Sequence, residues 1–186
     1  ALRASEMRFL RAQMNPHFLY NTLEMLRWYA RNSDREMVDR IIDRLATFYK
    51  LSMNHGLEYY TVSDELHLVE TYFIIMNMRF QGKIQLRVQV EEKILHCRIP
   101  VIFLQPFVEN ALLHGIMKKR DRTGIIQVSG RLEGGDLIFI IEDDGVGIDL
   151  AVMEQLNQSV PPSVPQDNEK GNHIGIANVI GRIRLV

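Results

Sequence analysis

The spacing of apolar residues first changes at Ile84, and that change sets the architecture of this chain. Up to about residue 81 apolar residues recur every three to four positions, the period of an amphipathic helix. From Ile84 the period becomes two: Ile84, Leu86, Val88 and Val90 alternate with polar residues, as in a strand with one buried face. Helix and strand periods place side chains on incompatible faces. A helical part therefore precedes a part that contains a sheet.

The spacing predicts a helix over 4–31, with Leu10, Met14, Phe18, Met25 and Trp28 as its apolar positions. Pro16 kinks it, since proline removes one backbone donor and crowds the preceding turn. Ser33 followed by Glu36 is a capping-box pattern. It opens a second helix over 34–54, with Val38, Ile41, Leu45 and Phe48 on one face. A lone hairpin cannot bury its stripe well. Pairing with a second copy through residues 4–54 into a four-helix bundle is one solution, and packing on the rest of this chain is the other.

His55-Gly56 ends the hairpin and puts a boundary near 55–62, so the expected units are 1–57 and 58–186. A third helix is predicted from Ser63 to Gln81, and another over 101–117 after Pro100. Residues 125–132 and 137–142 read as strands joined by Glu133-Gly134-Gly135-Asp136, a hairpin signal. A short helix over 150–157, a loop over 158–173 with three prolines, and a last helix from Ile174 complete the reading. The expected class is α+β, a helical hairpin followed by an α/β sandwich.

Composition removes several function classes. The 186 residues are 46% apolar and carry a net charge of −1, which describes a packed chain with no general case for nucleic-acid binding. Cys97 is the single cysteine, so an internal disulfide and a multi-cysteine metal site are both excluded. No run reaches the ~18–20 apolar residues that span a bilayer. The chain begins and stops within helix-like patterns and reads as a fragment of a longer protein, so the lack of such a run says nothing about the parent.

Four segments carry chemistry. In Asn15-Pro16-His17-Phe18-Leu19-Tyr20-Asn21, His17 and Asn21 are one turn apart on one helix face, and neutral imidazole is a competent nucleophile near pH 7. In Phe107-Val108-Glu109-Asn110-Ala111-Leu112-Leu113-His114, the oxygens of Glu109 and Asn110 suit a hard ion such as Mg²⁺, and Asn110 and His114 share a helix face. In Asp143-Asp144-Gly145-Val146-Gly147, straight after an apolar strand, a carboxylate can accept a hydrogen bond from an exocyclic amine, and the glycines let a ligand approach. In Gly171-Asn172-His173-Ile174-Gly175-Ile176-Ala177-Asn178, small residues open a helix whose first amides can hold phosphate. Each alone has an ordinary reading: a solvated histidine, a polar helix edge, an acidic turn, a loop-to-helix junction. No Walker-type GxxxxGK[ST] and no HExxH occurs.

Taken in order, NPHFLYN, VENALLH, DxGxG and GxxIGIxN resemble the sensor histidine kinases, and most closely their LytS/YehU-type branch. Val62-Ser63-Asp64-Glu65-Leu66, Met78-Arg79-Phe80 and the stretch from Ile99-Pro100 to Gln105-Pro106 are similar to that branch as well. The resemblance implies a dimerisation hairpin joined to a Bergerat-type sandwich with a mixed sheet, which binds ATP and Mg²⁺. It implies that His17 accepts the γ-phosphoryl group and passes it to an aspartate on a response-regulator receiver domain. By the same resemblance Asn110 holds Mg²⁺, Glu109 and His114 surround the phosphates, and Asp143 meets the adenine amine. Gly145 and Gly147 shape the pocket, and Gly171 and Gly175 anchor a lid. It further implies a homodimer on the cytoplasmic side of a membrane-bound parent. The chain departs from the wider family at Phe18, where an acid is common after the phosphoacceptor, at Leu113, where a basic residue is common, and at His173 and Ile176. Lys118 or Lys119 is then the candidate for the phosphate contact that Leu113 does not supply. Asn21 is a candidate to orient a water. The residues themselves also leave open an ATP hydrolase with Glu109 activating water, or a dimeric scaffold.

Overall fold

The computed structural model describes residues 16–52, 59–80 and 82–147. The helices expected over 150–157 and from Ile174, the loop over 158–173, and Leu10 and Met14 lie outside the described residues.

Helices α1 (Pro16–Arg31) and α2 (Arg35–Ser52) follow one another across the Asn32-Ser33-Asp34 turn, with Phe18 of α1 against Phe48 of α2. On α1 the buried positions are Phe18, Asn21, Thr22 and Met25, one face at spacings of three and four. Thr22 Oγ1 donates to the Phe18 carbonyl at 2.8 Å, which satisfies its hydroxyl inside the helix. Trp28 departs from the predicted stripe. Ten residues beyond Phe18 it points about 80° away from that face, stays 60% exposed, and rests edge-on against Tyr29 at 4.8 Å.

The turn between the helices also differs from expectation. Ser33 is not the cap: its φ of +57° is left-handed, the conformation that reverses the chain here. Asp34 caps instead, its Oδ1 accepting the Met37 amide at 3.0 Å. Asp34→Ala is therefore expected to cost about 1 kcal/mol. Ser33→Gly, which frees a residue held at positive φ, is expected to gain up to about 1 kcal/mol. Urea midpoints of the two variants check this, and the opposite pair of signs would return the cap to Ser33.

Helix α3 (Val62–Arg79), preceded by strand β1 (Tyr59–Thr61), is the central element. It starts one residue before the predicted Ser63, because Thr61 and Asp64 form a reciprocal capping box: the Asp64 amide donates to Thr61 Oγ1 at 3.1 Å and the Thr61 amide to Asp64 Oδ2 at 3.2 Å. Leu66, Leu68, Val69, Tyr72, Phe73, Ile75 and Met76 are all buried, so α3 is apolar around most of its circumference. Its Tyr72 meets the hairpin. The Phe18 ring is 5.1 Å from Tyr72 and 4.8 Å from Phe48 of α2. Part of the hairpin stripe is thus buried within this chain, with Ile41 fully enclosed, while Leu23 and Ile42 are about half exposed.

The sheet follows the change of period. Strand β2 (Ile84–Val90) runs parallel to β4 (Gly124–Glu133), with Ile84 beside Gly124. Strand β5 (Asp136–Asp143) returns antiparallel to β4, with Ile126 opposite Asp143. The mixed order is β2-β4-β5. Gly134 and Gly135 take φ of +63° and +98°, the two left-handed residues that a tight hairpin requires. A second, two-stranded pairing sets β1 against β3 (Arg98–Pro100), antiparallel. The Tyr60 hydroxyl donates to the Leu51 carbonyl and ties β1 to the end of α2.

The helix predicted over 101–117 is broken into three kinds of turn. Residues 101–104 form an irregular segment with Ile102 at φ +54°. Then come α4 (Gln105–Asn110), a π turn (Ala111–Gly115) and a 3₁₀ turn (Ile116–Lys118). Apolar periodicity cannot distinguish these, since each shifts a side chain by only a fraction of a turn. Among the described residues no helix is long and apolar enough to cross a membrane.

Candidate active site

The VENALLH segment sits at the end of α4 and in the π turn. Glu109 and Asn110 close α4 and are half-buried, and His114 lies within the π turn, also half-buried. A π turn is wider than an α turn and is frequent at functional sites. The Ile116 amide reaches back to the Ala111 and Leu112 carbonyls and closes it.

The start of α4 is held from α3. Glu65 is fully buried, and its carboxylate accepts three consecutive amides: Ile102, Phe103 at 3.0 Å and Leu104 at 3.1 Å. Sequence reading quoted Glu65 only as part of a motif and gave it no role. The available signal was a carboxylate on the same helix face as Leu68, Val69 and Tyr72, three, four and seven residues on, since buried charges are almost always partnered.

The Asp143-Asp144-Gly145 turn docks directly on the π turn. The Val146 amide donates to the Gly115 carbonyl at 3.3 Å, and the Gly145 amide donates to Asp143 Oδ1 at 2.9 Å. The approach leaves no room for side chains. A Cβ on Gly145 would lie 2.3 Å from the Gly115 carbonyl carbon, and a Cβ on Gly115 would lie 2.4 Å from Asp143 Oδ1. Gly115 is thus a site residue absent from the predicted set. Only the pairing of two distant segments reveals the need for it. Gly147 takes φ +79°, which glycine adopts without penalty.

Asp144 anchors this turn to the sheet. Its Oδ1 accepts the Ile125 amide at 2.9 Å, and its Oδ2 lies 3.4 Å from Lys119 Nζ. The candidate phosphate contact Lys119 is therefore engaged with Asp144, whereas Lys118 is exposed. The Ile125 amide, with help from Lys119, holds the Asp144 carboxyl below the usual aspartate range. A depressed carboxyl stabilises the fold above its unfolded value and loses that contribution as pH falls through its folded one. The Ile125 amide resonance is accordingly expected to shift only below about pH 4, the ordinary aspartate value. Asp144→Asn should remove that acid transition, as read by NMR titration.

Tyr72 links the site to the hairpin. Burial pushes its hydroxyl well above the usual tyrosine value, and the negative charge of Glu109 pushes it further. It therefore remains a neutral phenol, packed against Phe18 of α1 and within the electrostatic field of Glu109. His17 lies in the first turn of α1, next to Phe18. Its side chain is outside the described residues, and so are Gly171 and Gly175. Asn21 is buried on the Phe18 face. The structure thus brings the segment of Glu109, Asn110 and His114 to the turn of Asp143 and Gly145 through Gly115.

The donor set suits a hard cation shared with phosphates. Among the described residues no three His, Cys, Asp or Glu side chains gather into a metal site. An ion held through the Asn110 amide oxygen would draw its remaining oxygens from water and phosphate, the usual manner for Mg²⁺.

Residues 5–84 match the family model described as Histidine kinase. The sensor histidine kinase YesM of Bacillus subtilis (strain 168) is 28% identical over 99% of this chain and 30% of its own length. The sensor histidine kinase BtsS of Escherichia coli (strain K12) is 36% identical over 77% of this chain and 25% of its own. The sensor protein LytS of Oceanobacillus iheyensis is 28% identical over 98% and 30%. The chain thus spans under a third of the length of these relatives. With its motifs in family order and the second and third docked together, this chain is a relative of the sensor histidine kinases, LytS-type proteins among them.

Proposed function

We propose that this chain is the kinase part of a two-component sensor, which binds Mg-ATP between the VENALLH and DxGxG segments and phosphorylates His17. The observation that carries the reading is the contact of Gly145 with Gly115, which brings Asp143 to the helix bearing Asn110 and His114. Asp143 accepts from the adenine amine, and Asn110 holds Mg²⁺ with Glu109 and His114 around the phosphates. The ion neutralises phosphate charge, which phosphoryl transfer needs more than covalent help from the protein. An imidazole nitrogen of His17 attacks the γ-phosphorus in line. The nitrogen–phosphorus bond forms as the bond to the bridging oxygen breaks, ADP leaves with that electron pair, and the imidazole proton passes to solvent.

The phosphoryl group then passes to a receiver-domain aspartate. Two copies pair through the hairpin over residues 4–54, on the cytoplasmic side of a parent anchored in the membrane upstream. The half-exposed Leu23 and Ile42 and the exposed Trp28 on the hairpin support the pairing. Residues 1–57 act as the dimerisation and phosphotransfer unit and 58–186 as the nucleotide-binding unit, with Gly171 and Gly175 at the lid. The test is incubation with Mg²⁺ and γ-labelled ATP. Acid-labile label on the protein supports the reading, whereas steady phosphate release without labelled protein would replace it by hydrolysis.

A further inference from the structure

We propose that Glu65 is a positioning residue for the metal end of the nucleotide site. The inference rests on the reading of Asn110 and Glu109 given above. Glu65 is fully buried on α3, and its carboxylate gathers the amides of Ile102, Phe103 and Leu104. Leu104 is itself fully buried, so no water replaces that acceptor. Directly after these amides α4 runs only from Gln105 to Asn110, roughly 9 Å at the rise of an α-helix. A helix this short moves as a rigid piece, so displacement of its start displaces Asn110. The same carboxylate holds Ile102 at φ +54°, a conformation that a β-branched residue does not keep unaided. A carboxylate on the buried face of α3 is thus the peg that sets where α4 points.

Glu65→Gln keeps the shape but leaves one acceptor oxygen, and its amide group opposes at least one of the three donors. The expected result is a shift in metal requirement and not a general loss of binding. In the variant, the Mg²⁺ concentration for half-maximal ATP binding should rise about tenfold or more, the scale of losing a group that positions a metal ligand. Affinity for ADP in EDTA should change less than about twofold. Both are read by calorimetric titration on the full chain, with circular dichroism to show that the variant is folded. A folded variant with the parent's Mg²⁺ requirement overturns the proposal.

If Glu65→Gln does not fold, Ile102→Gly in the same chain relieves the left-handed residue and leaves the acceptor missing. The double variant should show the same raised requirement, and Ile102→Gly alone should not. Failure of both Glu65 variants to fold would overturn the proposal and reduce Glu65 to maintenance of the fold. A parent that binds no Mg-ATP would instead overturn the nucleotide site itself, so the two failures are separable.

Discussion

His17→Gln is expected to abolish acid-labile labelling from γ-labelled ATP, by at least about 10³-fold, while leaving Mg-ATP affinity within about twofold. The reason is chemical. Imidazole titrates near neutrality, so its neutral form is an available nucleophile at pH 7, and the phosphorus–nitrogen bond it forms is acid-labile. Glutamine has no nucleophile of that kind, yet it is a good helix former and tolerable at the first turn of α1. Next to it Phe18 keeps its contacts with Phe48 and Tyr72. Labelling and nucleotide binding measured side by side decide the case. Undiminished label on the variant would place the acceptor elsewhere, and loss of both labelling and binding would mean that the substitution damaged the fold.

The second large effect is expected at Gly145. An alanine there would put Cβ 2.3 Å from the Gly115 carbonyl carbon, 2.5 Å from its Cα and 2.4 Å from Asp143 Oδ1. Two of these neighbours are backbone, which has no rotamer with which to yield. The turn must move off the π turn, and Asp143 with it. Overpacking of this kind costs typically about 1–3 kcal/mol, and the same separation should weaken ATP binding about 10–100-fold, which is that energy expressed as affinity. Gly115→Ala should cost less stability, since its close neighbour is the Asp143 side chain, but should lower affinity comparably by displacing that carboxylate. Gly134→Ala is the control. It meets nothing within 4 Å, and although its φ of +63° costs some stability, ATP affinity should not change. Calorimetric titration with Mg-ATP and thermal melting of the three variants test the set. Parental affinity in Gly145→Ala would show that the turn does not wall a nucleotide site.

The stripe of α1 shows where sequence reading was sufficient and where it was not. Phe18 and Met25 are buried as expected, because helical spacing alone puts them on one face. Trp28 is not, since an apolar side chain at the margin of that face is buried only if a partner reaches it. Whether the stripe packs on this chain or on a second copy was open from spacing. In part Tyr72 of α3 answers it, by closing over Phe18 and Phe48. The Ser33 pattern misled because a capping box was matched without the turn in front of it. Reversal of the chain needed one left-handed residue, Ser33 took that place, and Asp34 became the cap.

The candidate site divides in the same way. Glu109, Asn110, His114, Asp143, Gly145 and Gly147 were legible as residue types in motifs, and their elements fall close to where the pattern put them. By itself the sequence determined the order of α1, α2, α3, β2, β4 and β5, the change of period at Ile84, the Gly134-Gly135 hairpin and the family resemblance, but not the short strands β1 and β3. Each of these is written in neighbouring residues or in motif order, and short-range geometry suffices to express them. Only the tertiary structure decided that Glu65 holds the start of α4, that Gly115 must lack a side chain, that Asp144 occupies Lys119, and that Tyr72 packs against Phe18 and Phe48. These depend on groups far apart in the chain that meet after α3 and the sheet have packed, where hydrogen-bond geometry and excluded volume, rather than periodicity, choose the residue.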